Sequence, residues 1–247
     1  MPGMDNPYAK LIWAQRHLKL LHAEITNFAA NPYSIAREDD LENERHILRL
    51  ELLDVPDAIC LIAGDAVYNM RASLDQLVWS LARLKGIPKR TAFPIVDGPV
   101  LTKDKWKSLT RSLAGVPKEA VCEIEFLQPY HRGASYKTHP LWRLDEMCNL
   151  DKHRRIPANG SATVLTFTDV TSEEIASRTV AIDTTDDGFI VSVPLALKHK
   201  LDHYHPRAFE VLFGGDESGI SEQIRGLAQI CKFVAENVFP RFTRFFT

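Results

Sequence analysis

Several features that define common protein classes are missing from this sequence of 247 residues. No apolar run approaches the ~20 residues that span a bilayer, so we predict no membrane contact. The N-terminus lacks the basic start and apolar stretch of a secretory signal, which favours a cytoplasmic protein. Thirty lysines and arginines stand against 32 aspartates and glutamates, for a net charge of −2. Because a nucleic-acid coat needs a basic surplus, any RNA contact would have to be local.

The motifs of several enzyme classes are also missing. The sequence has no glycine-rich phosphate loop, no G-x-S-x-G nucleophile elbow and no H-E-x-x-H zinc motif. The four cysteines are far apart and form no C-x-x-C pair, so we interpret them as reduced core residues. His199, His203 and His205 have a spacing that some metal sites use, but a solvated loop explains them more simply. We therefore predict no cofactor and no metal site.

The spacing of apolar residues predicts an α+β fold, with a helical core packed with an antiparallel β-sheet. Helices are expected at 5–30, 56–85, 104–113, 117–127, 139–154 and 218–239. Strands are expected at 46–52, 163–170, 178–184, 188–193 and 209–213, with a charged turn at 37–40. Since no Pro/Gly/Ser-rich linker interrupts the chain, we treat 1–247 as one domain, helix-rich over 1–160, with a β-hairpin region at 161–213 and a C-terminal helix at 218–239.

The helix near 64–85 carries polar residues where core residues are expected. The segment 52–84 contains no lysine and no glutamate, which indicates a central helix without a wet outer face. One of its faces carries Asp65, Asn69 and Gln76, with Arg71 and Asp75 to one side. These short polar side chains could make only local hydrogen bonds, or they could form a buried functional face that needs matched partners.

The helix near 139–154 places a carboxylate on its apolar stripe. Leu141, Leu144 and Cys148 form that stripe, and Asp151 falls on it. A carboxylate in such a position should pair with a cation such as Arg71, as a structural connection between helices, or show a raised pKa.

The same helix carries a dense group of other chemically able side chains. Lys152, His153 and Arg154 form a basic end, Asn149 lies one turn before His153, and His139 lies at the helix start. Cations at a helix C-terminus also complement the helix dipole, so this group has a structural explanation as well as a functional one.

The segments 64–77, 91–95, 127–130 and 149–154 together carry a resemblance. The runs GDAVYNMRASLDQL, TAFPI, LQPY and NLDKHR resemble a family of bacterial hypothetical proteins of about this length, along nearly the whole chain. The resemblance implies a bacterial protein and implies no activity.

The first helix of this pair also resembles, more weakly, that of the HEPN ribonucleases. Those helical bundles carry an arginine followed after four residues by a catalytic histidine, and here Arg71 is followed at that spacing by Gln76. Glutamine cannot transfer a proton, so the resemblance implies that cleavage without a metal would need another group, with His153 from the other helix as a substitute.

We derive three hypotheses. The first is a cytosolic RNase-like hydrolase that cleaves RNA or binds another phosphate-bearing ligand. Its catalytic residues would be His153, Lys152, Asp151 and Arg71, and its binding residues Asp65, Asn69, Asp75, His139, Asn149 and Arg154.

The second hypothesis is a non-enzymatic module in which the Asp/Arg/His network is structural. Such a module would bind a protein partner or form a homo-oligomer, for example through the aromatic, basic tail at 239–246. The third is a metal-dependent hydrolase built across helices from Asp65, Asp75, His139, Asp151 and His153.

Overall fold

The computed structural model describes residues 4–86, 90–96, 98, 102–153, 156–185, 188–215 and 220–246. Within these ranges, the structure describes only the backbone of residues 105, 106, 108, 109, 153, 161–166, 204–209, 215, 220 and 221. The fold is α+β, with long helices, a four-stranded antiparallel sheet and a three-stranded sheet. This confirms the fold class that the sequence predicts.

The α-helices are α1 (Asp5–Ala30), α2 (Asp57–Arg83), α3 (Lys103–Ser112), α4 (Lys118–Phe126), α5 (Pro140–His153), α6 (Ser172–Ala176), α7 (Ile224–Phe233) and α8 (Phe239–Phe242). Helical turns of other types occur at Pro129–Thr138, Leu195–Leu201, Val234–Val238 and Thr243–Phe245. The strands are β1 (Tyr33–Asp40), β2 (Arg45–Leu52), β3 (Ala158–Phe167), β4 (Ala181–Thr185), β5 (Gly188–Pro194), β6 (Tyr204–Gly215) and β7 (Ile220–Gln223).

The chain divides into two compact units. One contains residues 1–24, 57–158 and 213–247, and the other contains 25–56 and 159–212. Both units combine stretches that are far apart in sequence, so compactness alone does not define an independently folding domain. The single-domain interpretation therefore stays a prediction.

The unit of residues 25–56 and 159–212 contains the antiparallel sheet in the order β1-β2-β5-β4. Thr185 pairs with Gly188, which confirms the predicted hairpin between β4 and β5. Its core is a cluster of buried side chains: Tyr33, Leu48, Leu50, Phe167, Val180, Val191, Val193 and Leu201. Alternate residues of β2 face this cluster, as expected for a half-buried strand.

One strand of this sheet was predicted as a turn. The segment 37–40 belongs to β1, which pairs along its whole length with β2, from Tyr33 opposite Leu52 to Asp40 opposite Arg45. Only Tyr33 of β1 is buried. An edge strand with an exposed charged end gives no alternating apolar pattern, so its sequence resembles a charged turn.

The other unit is helical around α2. Met70, Leu74, Leu77 and Leu81 of α2 have no exposed surface. The predicted C-terminal helix is shorter than expected at its start, because residues 220–223 form β7 and α7 begins at Ile224. The chain then continues through the turn Val234–Val238 into α8.

The cysteines follow the prediction with one exception. Cys60, Cys148 and Cys231 are buried, but Cys122 is exposed on α4. Ala120, Val121 and Ile124 make its sequence surroundings mostly apolar, whereas its own position on the helix faces outward, so the prediction of a core thiol is wrong there. Among the helices of the described residues, none has the length and apolar character that a membrane crossing requires.

Candidate functional site

Helices α2 and α5 pack against each other, so the two polar segments of the sequence meet in space. A close approach lies at Gly64 of α2, where an added Cβ atom would overlap the carboxylate of Asp151. Glycine is therefore required for this carboxylate to lie against the α2 backbone. Burial and the negative charge of Asp65 raise the pKa of Asp151. This confirms the raised-pKa alternative for Asp151.

Arg71 has a different partner on α5 from the one predicted. Its Nη1 lies 3.5 Å from Oδ1 of Asp145, and its Nη2 lies 3.5 Å from Oδ1 of Asp75. Nη2 also donates a hydrogen bond of 2.7 Å to the carbonyl oxygen of Phe93, whose own N–H donates to Asp75 over 2.8 Å. We call Arg71, Asp75, Asp145 and the Phe93 backbone the Arg71 cluster. It connects α2, α5 and the segment at 91–96.

The Arg71 cluster is only partly accessible to solvent. The Arg71 side chain is 14% exposed, against 37% for Asp75 and 27% for Asp145. Burial raises the pKa of Asp145, while the charges of Arg71 and Lys152 and a hydrogen bond from Asn149 oppose this rise. The guanidinium is thus held by two carboxylates and a carbonyl, which leaves little of its charge for a phosphate ligand.

Most of the other predicted binding residues are also used within the protein. Asn69 donates to the carbonyl oxygen of Asp65 (2.8 Å) and accepts from Nζ of Lys10 on α1 (3.3 Å). Asn149 is exposed and lies 3.4 Å from Oδ2 of Asp145, and Lys152 is exposed on the same helix. These contacts connect α2 with α1 and extend the α5 side of the Arg71 cluster.

Gln76, at the position of the resembled catalytic histidine, has a buried Oε1 atom. No described residue donates a hydrogen bond to it. An unsatisfied buried acceptor costs about 1–3 kcal/mol. A glutamine here therefore cannot transfer a proton, and its carbonyl oxygen has no donor among the described residues.

His139 lies at the opposite end of α5 from Asp151, about 18 Å away along a helix of this length. It is 7% exposed, its Nδ1 accepts a hydrogen bond from the N–H of Leu141 at 3.2 Å, and its ring meets Phe233 edge to face. Burial, with the charges of Arg132 and His131, lowers the pKa of His139 to about 4. It is a neutral cap of the helix start, and the structure does not bring it to the other predicted residues.

Two predicted residues cannot be placed. The backbone of His153 ends α5, but its side chain and the whole of Arg154 lie outside the described residues. Their roles stay predictions. In the other unit, His199 and His203 are exposed and His203 lies 3.6 Å from Asp169, while the side chain of His205 is outside the description. No group of three metal-binding side chains is found among the described residues.

The aromatic tail is buried in part. Phe239 and Phe242 have no exposed surface, and Arg241 and Arg244 both bind the carboxylate of Glu123. The rest of the tail is partly or fully exposed, so the role of 239–246 as a docking segment stays a prediction. Burial of the two phenylalanines agrees with the simpler interpretation that they close the core.

A row of exposed and half-buried side chains along α2 was not predicted from the sequence. We call Leu61, Asp65, Tyr68, Ala72, Asp75 and Trp79 the α2 row. Their spacing of four and three residues places them on one helix face. Leu61 is 59% exposed, Tyr68 57% and Trp79 40%. The absence of lysine and glutamate predicts a helix that is buried on all sides. In the structure, α2 has a solvent-exposed face, and this face carries aromatic and acidic side chains.

Three comparisons with known proteins give no relative. No family model, no curated protein and no solved structure matches this chain.

Proposed function

We propose that this protein is a non-enzymatic protein-binding module. In this proposal the contacts between α2 and α5 are structural, and the exposed face of α2 meets a protein partner. The observation that carries it is the position of Arg71, the cation that the hydrolase hypothesis needs for phosphate. Its guanidinium is enclosed by Asp75, Asp145 and the Phe93 carbonyl and is 14% exposed.

The chemistry of the Arg71 cluster supports a structural role. An arginine between two partly buried carboxylates has its charge balanced without a ligand, although its Nη1 makes no hydrogen bond to a described residue. The third contact, to the carbonyl of Phe93, fixes a segment of irregular backbone on the two helices. Removing such a cation leaves the two carboxylates without their counter-charge. The expected result is a lower free energy of unfolding and not the loss of a ligand-binding surface.

The α2 row supports the choice of protein binding. Soluble proteins expose single apolar residues everywhere, but apolar residues aligned on one helix face are typical of interaction surfaces. Tyr68 and Trp79 are also of the residue types that dominate binding energy at interfaces. The large apolar side chains of the row are exposed, whereas Phe239 and Phe242 of the tail are buried.

The proposal is tested by separating stability from catalysis at Arg71. We expect Arg71→Ala to lower the free energy of unfolding by about 2–4 kcal/mol, since a partly buried ion network loses its central charge. Arg49→Ala, at an exposed position of β2, is the control and should change stability by less than about 0.5 kcal/mol. Wild-type protein should leave single-stranded and hairpin RNA intact, with and without Mg²⁺ or Mn²⁺.

A wild-type protein that cleaves RNA, together with an Arg71→Ala variant that is stable and inactive, would overturn the proposal. Chemical denaturation and electrophoresis of labelled RNA are sufficient for both measurements.

A second candidate is the phosphodiester-cleaving enzyme, which one observation favours. Asp151 lies near Asp65 with a raised pKa, and it directly precedes Lys152 and His153 in the sequence. A carboxyl group of raised pKa beside a cation and an imidazole is a usable acid–base set. Here Arg71 would be a structural residue and His153 the proton-transfer group. A stable His153→Ala variant that loses an RNA cleavage shown by the wild type would select this candidate.

A further inference from the structure

We infer that the partner is a second copy of this chain, bound through a symmetric interface in which the α1 face of one protomer meets the α2 row of the other. This inference rests on the proposed function and names its partner. The α1 face consists of Ile12, Trp13, Arg16, Lys19 and Leu20.

The α1 face, like the α2 row, is apolar in its large side chains and open to solvent. Ile12 is 48% exposed, Trp13 50% and Leu20 46%. Helix α1 buries Leu11, Ala14, Leu18 and Leu21 on its inner side. The exposed Ile12, Trp13 and Leu20 lie on the opposite side and do not contribute to the packing of α1 on the core. Two long helices of one chain therefore each present large apolar groups on the side away from the core.

The two faces carry opposite charge. Between residues 6 and 23, α1 contains Lys10, Arg16 and Lys19 and no carboxylate. Between residues 58 and 82, α2 contains the exposed Asp65, whereas Asp75 and the cation Arg71 are paired in the Arg71 cluster, which keeps a net negative charge because two carboxylates face one guanidinium. The neighbouring α5 adds the partly exposed Asp145 and Asp151, together with the exposed Lys152. A basic helix face and an acidic one are complementary when they come from different copies.

Helices α1 and α2 touch each other on one protomer. Lys10 of α1 donates to Asn69 of α2, and its Nζ lies 5.7 Å from the ring centroid of Tyr68. Arg16 lies over Trp13, and Arg83 lies over Trp79. Each cation covers one side of an aromatic ring, and the rest of each ring is left for a partner. Lys10 thus connects α1 with the α2 row next to Tyr68.

A twofold axis would bring both the α1 face and the α2 row into contact with the partner. In a symmetric dimer, residue contacts are reciprocal, so α1 on α2 of the partner implies α2 on α1 of the partner. An unrelated basic helix would satisfy only the α2 row, and an unrelated acidic helix only the α1 face. Among these occupants, a second copy alone complements both.

Charge reversal tests the interface on the full chain. We expect wild-type protein to sediment as a dimer at micromolar concentration. Arg16→Glu with Lys19→Glu should raise the dimer dissociation constant by about tenfold or more, since like charges then face each other across the interface. Asp65→Lys should do the same from the other helix. Combining the three substitutions should restore association to within about threefold of the wild type, because the charges are again opposite.

Apolar variants give an independent measurement. Trp13→Ser and Tyr68→Ser should each weaken the dimer by about tenfold or more, as expected for aromatic residues central to an interface. Leu41→Ser is the matched control, because Leu41 is 76% exposed and lies outside both faces. Circular dichroism and thermal melting confirm that each variant is folded.

Three outcomes would overturn the inference: a monomeric wild type at 100-fold higher concentration, a dimer insensitive to all these substitutions, or a triple variant no tighter than the weaker parent. A monomer whose Arg71→Ala variant is still destabilised, with no RNA cleavage by the wild type, removes the dimer only and leaves the proposed function standing. Binding of a basic model helix to that monomer would assign the α2 row to another protein.

Discussion

The carboxylate of Asp151 lies directly against Gly64, so a residue of α5 occupies the space that a side chain on α2 would fill. The two helices approach each other closely at this point. Asp65 adds a second negative charge nearby and contributes to the raised pKa of Asp151. Steric fit therefore determines how α2 and α5 pack at Gly64, whereas ion pairs connect the two helices at the Arg71 cluster.

Gly64→Ala should destabilise the protein by about 1–3 kcal/mol, since the new methyl group overlaps the Asp151 carboxylate. In an Asp151→Ala background the same substitution should be neutral or stabilising by up to about 1 kcal/mol, because alanine is the better helix former. Urea denaturation of the four proteins of this cycle measures the coupling. Equal costs in both backgrounds would contradict the contact.

Asp151→Asn should stabilise the protein at neutral pH. The pKa of Asp151 in the folded chain is raised above its ordinary value of 3.8, so the folded state holds the proton more tightly than the unfolded state. Stability contributed by this group therefore decreases as pH rises through the window between the two values. The advantage of the variant should be present at pH 7 and disappear on acidification. Thermal melts from pH 3 to 7 measure it, with Asp183→Asn on the exposed β4 as control.

His139 should make the protein sensitive to acid. Burial lowers its pKa to about 4, below the ordinary 6.5, so unfolding takes up a proton between these values. Stability should be complete above pH 6.5 and fall as pH decreases, with a slope that approaches about 1.4 kcal/mol per pH unit. His139→Gln keeps an acceptor for the Leu141 N–H and should flatten the slope. An NMR titration of His139 with a midpoint near 6.5 would be inconsistent with the buried cap.

The ion pair of Arg143 and Glu222 should be worth much more than an exposed pair. Glu222 is 3% exposed and accepts from two nitrogens of Arg143, above Gly226, where a Cβ would overlap both side chains. Glu222→Gln should cost about 2–4 kcal/mol, since it leaves the Arg143 charge without its carboxylate. Glu236→Gln breaks an exposed pair with Lys232 and should cost less than about 0.5 kcal/mol. Similar losses in both variants would contradict this ranking.

The long helices were predictable because their apolar period is sustained over many turns. The start of α1 at Asp5 and the extent of α2 and α5 agree with the pattern within a few residues. Strand β1 was not predictable, because its pairing with β2 is formed by backbone atoms and its side chains show no buried period.

The sequence was sufficient to predict two unusual polar helices, which do meet in the structure, but not to assign the residue pairs between them. The sequence predicts Asp151 as the ion-pair partner of Arg71. In the structure that partner is Asp145, which lies almost two turns earlier on α5. Which face of α5 meets α2 depends on the close approach at Gly64, and this depends on tertiary packing rather than on spacing. The same applies to the α2 row, whose exposure depends on where the other helices lie.

The charged end of β1 also bears on how this protein behaves when it is concentrated. Strand β1 is an edge of its sheet, and its residues Arg37, Glu38 and Asp39 are exposed. An incoming strand of another copy would have to place its own side chains beside three charges in succession, which opposes the sheet extension that leads to amyloid-like aggregates. The run of exposed charges that makes β1 resemble a turn in the sequence thus also opposes its pairing with a strand of another copy.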